Sequence, residues 1–189
     1  MRTMKVTIFN GTPRKKGNTA AMTTILKEQL SSQGIKAEEH FLYHADIKGC
    51  MNCGHCHASP SLNECAIKDD ALKLLKKFID SDIVVFASPV YMWHLTASMN
   101  AFIERLHSLC RHEAPYVNMM KGKKVAVAMT MGDDEYVAAD IVTSLLMFCG
   151  YFELNYKGAF AVPFADKEQI SRPLYREKMK DFVSKLLKE

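Results

Sequence analysis

Cys50, Cys53 and Cys56 are separated by two residues each, and Cys65 follows after a gap of eight. That spacing lets three thiolates converge, with a fourth arriving from a longer loop. Thiolates are soft ligands suited to an iron–sulfur cluster or to zinc. His55 and His57 lie among them and also permit a mixed Cys/His zinc site. A metal-free loop with reversible disulfides is the third reading. The other two cysteines, Cys110 and Cys149, fall in helix-like sequence and read as small buried hydrophobes.

A second constellation is Asn10-Gly-Thr-Pro-Arg-Lys-Lys-Gly-Asn-Thr19. The hydroxyls of Thr12 and Thr19, the Asn18 amide and the N–H groups opening a following helix are donors for a phosphate. Arg14 adds a charge and a forked donor set, while Gly11 and Gly17 are expected to make turns that other residues resist. Neither G-x-x-x-x-G-K-[ST] nor G-x-G-x-x-G is present, and no cysteine has an arginine six positions later. These absences set aside the usual nucleoside-triphosphate, dinucleotide and cysteine-phosphatase loops. Taken alone, the segment reads equally well as a solvated basic turn with a helix cap at Asn18 or Thr19.

Two further loops carry residues able to offer surface or backbone donors, and on their own these read equally well as partly buried aromatics and ordinary turn residues. Ser88-Pro-Val-Tyr-Met-Trp-His94 offers Pro89, Val90, Tyr91, Met92 and Trp93, and Thr130-Met-Gly-Asp-Asp134 offers backbone donors at Thr130 and Gly132.

The elements that must position these residues alternate strand and helix. Lys5–Phe9 is strand-like, and the helix after it carries Met22, Ile25, Leu26 and Leu30 on one face, with a stop at Gly34. Lys36–Leu42 is a weaker strand, and Asp70–Ile79 is helical through Ala71, Leu74, Leu75 and Phe78. Ile83–Ala87 and Val125–Met129 are continuous apolar runs, the mark of strands covered on both faces. Met99, Phe102, Ile103, Leu106 and Cys110 suggest a helix stripe. Asp140–Cys149 reads as a helix, Glu153–Ala161 as a strand, and Met179, Phe182, Val183 and Leu186 as a last helix face. Five βα units predict an α/β three-layer sandwich with a five-stranded parallel sheet of order 2-1-3-4-5. In such sheets ligands sit beyond the carboxyl ends of the strands, where all three ligand-type loops fall. The 189 residues read as a single domain over 1–189. The irregular stretch 44–68 is long enough to suspect function.

Composition is that of a globular protein, 48% hydrophobic and 24% charged, with a net charge of +4. Basic residues interleaved with aromatics along one face are missing, which argues against nucleic acid as a partner. No apolar run nears the roughly 20 residues of a membrane-spanning helix. Residues 1–5 lack a signal peptide's apolar stretch, so no membrane association and a cytoplasmic location are expected.

Gly11-Thr-Pro-Arg-Lys-Lys-Gly-Asn-Thr19 resembles the "GSPRxxGNT" loop of the NADPH-dependent FMN reductase and iron–sulfur flavoprotein family. The resemblance continues through Cys50-x2-Cys53-x2-Cys56…Cys65-x-x-Lys-Asp-Asp70, Ser88-Pro-Val-Tyr-Met-Trp93 and Ala101-Phe-Ile-Glu-Arg105, about the first 110 residues. It implies a flavodoxin-like fold, FMN with its phosphate in the first loop, and an isoalloxazine ring lined by Pro89–Trp93, with Thr130 and Gly132 near its pyrimidine edge. NAD(P)H is the implied co-substrate and a small electron acceptor, such as a quinone or flavin, the implied partner. In the iron–sulfur members a [4Fe–4S] cluster on the cysteines passes electrons to FMN, which would admit a ferredoxin-type donor here. The family also implies a homodimer or homotetramer. Two departures stand out: Glu104 where the family usually has Asp, and a Cys56–Cys65 gap one residue longer than that pattern. The rival readings are a one-electron carrier without its own small substrate and a zinc-stabilised interaction module.

Overall fold

The structure, a computed structural model, describes residues 4–58, 64–111, 113 and 115–188. Residues 59–63 of the cysteine-rich stretch and the first three residues of the N-terminal reading lie outside them. Five parallel strands form the sheet: β1 (Val6–Asn10), β2 (Ala37–Phe41), β3 (Ile83–Pro89), β4 (Lys124–Thr130) and β5 (Asn155–Val162). Their order is β2-β1-β3-β4-β5, as the alternation predicts.

The main helices are α1 (Asn18–Ser32), α2 (Ala71–Asp80), α3 (Ala97–Arg105), α4 (Ala139–Tyr151) and α5 (Pro173–Leu187), and a single helical turn, His55–Ala58, lies within the stretch 44–68 read as irregular. Strand alternation divides the core in two. Val84 and Phe86 face a layer with Phe78, Phe102 and Leu145, whereas Ile83, Val85 and Ala87 face one with Met22, Leu26, Met179 and Phe182. Both faces of β3 are therefore buried, which is why its sequence shows no alternation. Among the described residues no helix is long and apolar enough to cross a membrane.

Three expectations need correction. Cys110 is buried but not helical. The chain tightens into a 3-10 turn over Leu106–Leu109, and Cys110–Arg111 then pairs antiparallel with Val117–Asn118. The Asn18/Thr19 cap also moves: the N-cap of α1 is Gly17, and no side chain caps the helix. Nor do Gly11 and Gly17 adopt left-handed backbone, Gly17 having φ −86°. What Gly11 supplies is space, since a Cβ there would lie 2.3 Å from Thr96 Oγ1 and 3.2 Å from Met99 Cβ. A short helix over Lys167–Ser171 precedes α5 and carries too few residues to show a period.

Candidate functional site

Parallel register brings the strand ends together: Asn10 pairs with Ala87, Pro89 with Thr130, and Thr130 with Val162. Backbone bonds extend this order into the loops. Gly11 N–H donates to Ala87 O at 2.8 Å, Val90 N–H to Thr130 O at 2.8 Å, and Met131 N–H to Val162 O at 3.1 Å. The three predicted ligand segments thus share one edge of the sheet.

The first loop is built by successive short turns. Asn10 Oδ1 accepts from Thr12 N–H at 3.0 Å, Thr12 Oγ1 from Arg14 N–H at 3.3 Å, and Arg14 O from Gly17 N–H at 2.9 Å. Helix α1 then begins with its first N–H groups uncapped by any side chain, the arrangement that attracts an anion. Thr12 and Thr19 are buried, and Arg14 is exposed. Counting donors shows what they retain. The Thr12 hydroxyl accepts in the turn and keeps its hydrogen. Thr19 and Thr130 share one hydrogen bond at 2.7 Å, which leaves one of two hydroxyl hydrogens. One Asn18 amide hydrogen is used on Ala165 O at 2.5 Å, and the other remains.

After β3 the chain folds into a minimal hairpin in which Tyr91 and His94 exchange backbone bonds of 2.9 and 3.0 Å. Met92 and Trp93 form its tip with φ of +48° and +63°. Two left-handed central residues define the type I′ turn, which favours Asn-Gly. Met-Trp is costly there, and such strain concentrates at functional sites. The turn leaves Tyr91, Met92 and Trp93 exposed, while Pro89 is buried and Val90 half-buried.

A fourth segment was not anticipated. Beyond β5, Phe164 N–H donates to Asp133 O at 3.2 Å and Ala165 N–H to Met131 O at 2.8 Å. Phe164 is exposed with φ +45° beside the loop that carries Gly132. The residues Val162-Pro-Phe-Ala-Asp166 at a strand's carboxyl end were the available signal.

Cys50, Cys53, Cys56 and Cys65 line one small cavity together with His57, His107 and Arg105. Cys50 and Cys53 are exposed, Cys56 is half-buried and Cys65 buried. Burial, with the neighbouring Cys65, Cys50 and Cys53 thiols, raises Cys56 above the ordinary thiol range. Among the described residues no three His, Cys, Asp or Glu side chains are grouped to hold a single metal ion.

The loop is held by α3. Glu104 Oε2 accepts from Cys50 N–H at 3.0 Å. Arg105, 1% exposed, donates through Nη1 to Asp69 Oδ2 at 2.7 Å and Lys48 O at 2.9 Å, and through Nη2 to Ile67 O at 3.3 Å. Burial alone would raise the Asp69 carboxyl, but the bonds from Arg105, Lys48 N–H and Ala71 N–H outweigh it and hold it below its usual range. Arg105 Nε is buried at the cavity wall without a hydrogen-bond partner among the described residues.

Comparison with known proteins agrees with the fold. The family model for NADPH-dependent FMN reductases matches residues 4–166. An iron-sulfur flavoprotein of Archaeoglobus fulgidus is 31% identical over 159 residues, covering 84% of this chain and 70% of that protein. Among solved structures, an NAD(P)H:quinone oxidoreductase from Methanothermobacter marburgensis superposes with a TM-score of 0.74 at 14% identity, over 100% of this chain and 98% of that one. An FMN-dependent NADH-azoreductase from Bacillus anthracis, in complex with FMN, gives a TM-score of 0.68 at 10% identity over 98% of this chain and 100% of that one. At such identities the two superpositions speak to the fold alone.

Proposed function

Because the chain belongs to the NADPH-dependent FMN reductase family, we propose that this flavin oxidoreductase carries electrons from NAD(P)H, or from a protein donor, to a quinone, flavin or other small acceptor. The observation that carries this reading is the meeting of an uncapped helix terminus and an exposed aromatic turn at one sheet edge. Thr12, Arg14, Gly17, Asn18 and Thr19 would hold the FMN phosphate. Pro89, Val90, Tyr91, Met92 and Trp93 would wall the ring, with Gly132 at its polar edge, while Thr130, hydrogen-bonded to Thr19 at 2.7 Å, would stand against the phosphate loop and not at that edge. Bound FMN supplies the hydride and electron chemistry, so no side-chain nucleophile is needed. The residues' own work is to bind, orient and exclude water.

The test is steady NAD(P)H oxidation by FMN-loaded protein with a quinone as acceptor. Sustained turnover supports the reading. Failure with quinone, flavin, nitro and azo acceptors, alongside ready electron exchange with a redox protein, would instead make the chain a carrier. A second measurement addresses the ring. Trp93 is the only tryptophan, so FMN titration should quench its fluorescence. Unchanged emission, with binding confirmed independently, would remove the 91–94 hairpin from the ring site.

The cysteine cavity supports a second redox centre on Cys50, Cys53, Cys56 and Cys65. A four-iron cluster takes one thiolate per iron around a body larger than an ion. The four cysteines that line this cavity would supply one such thiolate each. Arg105 Nε, buried and without a hydrogen-bond partner among the described residues, would supply a donor toward an anionic occupant. Exposure of Cys50 and Cys53 leaves this centre open to a ferredoxin-type donor. We take residues 1–189 as one cytoplasmic FMN-binding unit, with 44–68 as its cysteine-bearing loop, working as a homodimer or homotetramer.

A further inference from the structure

Glu39 lies on β2, outside every ligand-type loop, yet its carboxylate is buried and fully engaged. Its side chain is 8% exposed. Oε1 accepts from Asn10 Nδ2 at 2.9 Å and from Thr23 Oγ1 at 2.7 Å, and Oε2 is paired with Lys27 Nζ. Asn10 is fully buried, and its other face, Oδ1, accepts from Thr12 N–H at 3.0 Å. We infer that Glu39 is the positioning residue of the phosphate loop, acting through the orientation of the Asn10 amide.

The argument is one of donors and acceptors. An ionised carboxylate only accepts, so it admits Nδ2 and not Oδ1 of Asn10 as its neighbour. That choice turns Oδ1 toward Thr12 N–H and sets the first turn of the loop. Thr12 Oγ1 then receives Arg14 N–H at 3.3 Å, so the second turn depends on the first. The order runs from Lys27 through Glu39 and Asn10 to Thr12 and Arg14. With Gln at position 39 the amide cannot serve both neighbours. Its NH₂ must oppose either Asn10 Nδ2 or Lys27 Nζ, and flipping Asn10 to relieve the clash sets Nδ2 against Thr12 N–H. Only turning the NH₂ toward Lys27, whose side chain is 37% exposed and can swing into water, avoids opposing two buried donors, and it replaces the charged acceptor of Asn10 Nδ2 with a neutral one.

This inference rests on the reading that the Thr12–Thr19 loop holds the FMN phosphate, and its test separates the two. The readout is the ratio of riboflavin to FMN dissociation constants, which isolates the phosphate, measured beside thermal stability. Arg14→Ala should lower that ratio, because an exposed cation is lost from the loop. Glu39→Gln should lower it by about tenfold, the size of one charge-assisted bond lost. Asn10→Asp should do the same by setting two carboxylates together. The double variant Asn10→Asp/Glu39→Gln reverses the polarity: Gln Nε2 donates to Asp, whose other oxygen accepts Thr12 N–H. It should restore the ratio, even if a single variant folds poorly. If Arg14→Ala lowers affinity for both ligands equally, the phosphate reading falls and this inference with it. If Arg14→Ala discriminates but Glu39→Gln lowers stability without changing the ratio, Glu39 is merely structural and the inference alone is overturned. Failure of the double variant to recover the ratio also overturns it.

Discussion

Replacing Arg105 with alanine should destabilise the protein by about 3–5 kcal/mol, the usual cost of leaving one member of a buried ion pair alone. The guanidinium and the Asp69 carboxylate are 1% and 0% exposed, so solvent cannot take over either role. Arg105→Lys should recover only part, because an ammonium lacks the planar fork that reaches Asp69, Lys48 O and Ile67 O together. Urea unfolding measures the loss, and a change below about 1 kcal/mol would show that the pair holds nothing. The linkage has a definite sign. Asp69 titrates below its ordinary range in the native state, so its contribution is complete above the unfolded value near 3.9 and is lost as pH falls through the lower native value. Asp69→Asn should therefore flatten the acid limb of the stability curve while lowering the plateau. The buried Cys65 thiol should also become accessible to thiol reagents in Arg105→Ala, since both ends of its loop are released.

The second large effect concerns iron. Protein purified without oxygen should hold about four irons per chain and show broad brown absorption bleached by dithionite. Cys50, Cys53, Cys56 and Cys65 should each be required, whereas Cys110 and Cys149 should not. Burial pushes the Cys149 thiol up to about 12, far from the thiolate a metal needs. Iron-supplemented anaerobic protein that binds FMN fully yet contains neither iron nor sulfide would reduce the loop to a metal-free remnant. The FMN reading would stand without it.

Legibility in the sequence followed the range of the interaction. Ile83–Ala87 announced a strand buried on both faces, because that burial demands an unbroken apolar run. The place of the first loop after β1 was legible from turn-forming residue types concentrated in a ten-residue stretch, though those types alone suit a solvated turn as well as a ligand loop. What organises those loops was not. Asn10 meets Glu39 across 29 positions and Arg105 meets Asp69 across 36, and one of two adjacent Glu in a half-buried strand or an Arg at a helix end carries no mark of its partner. Cys110 misled for a local reason: it continued the i, i+4 spacing of Phe102 and Leu106, but the helix had already tightened. Gly11 was singled out correctly for the wrong cause, since a close approach to Thr96 cannot be told from a turn by residue type.

The Met92–Trp93 turn has a bearing on how this chain would respond to selection. Left-handed backbone costs about 1–2 kcal/mol at each non-glycine residue, and Asn-Gly would relieve that penalty without moving the hairpin. A screen that rewards heat resistance alone will therefore drift toward Asn-Gly here and strip away the aromatic and thioether surface. Selection for turnover will pull the same two positions back. Sequences evolved under the two pressures should diverge first at this turn, while the buried strand beneath it stays unchanged.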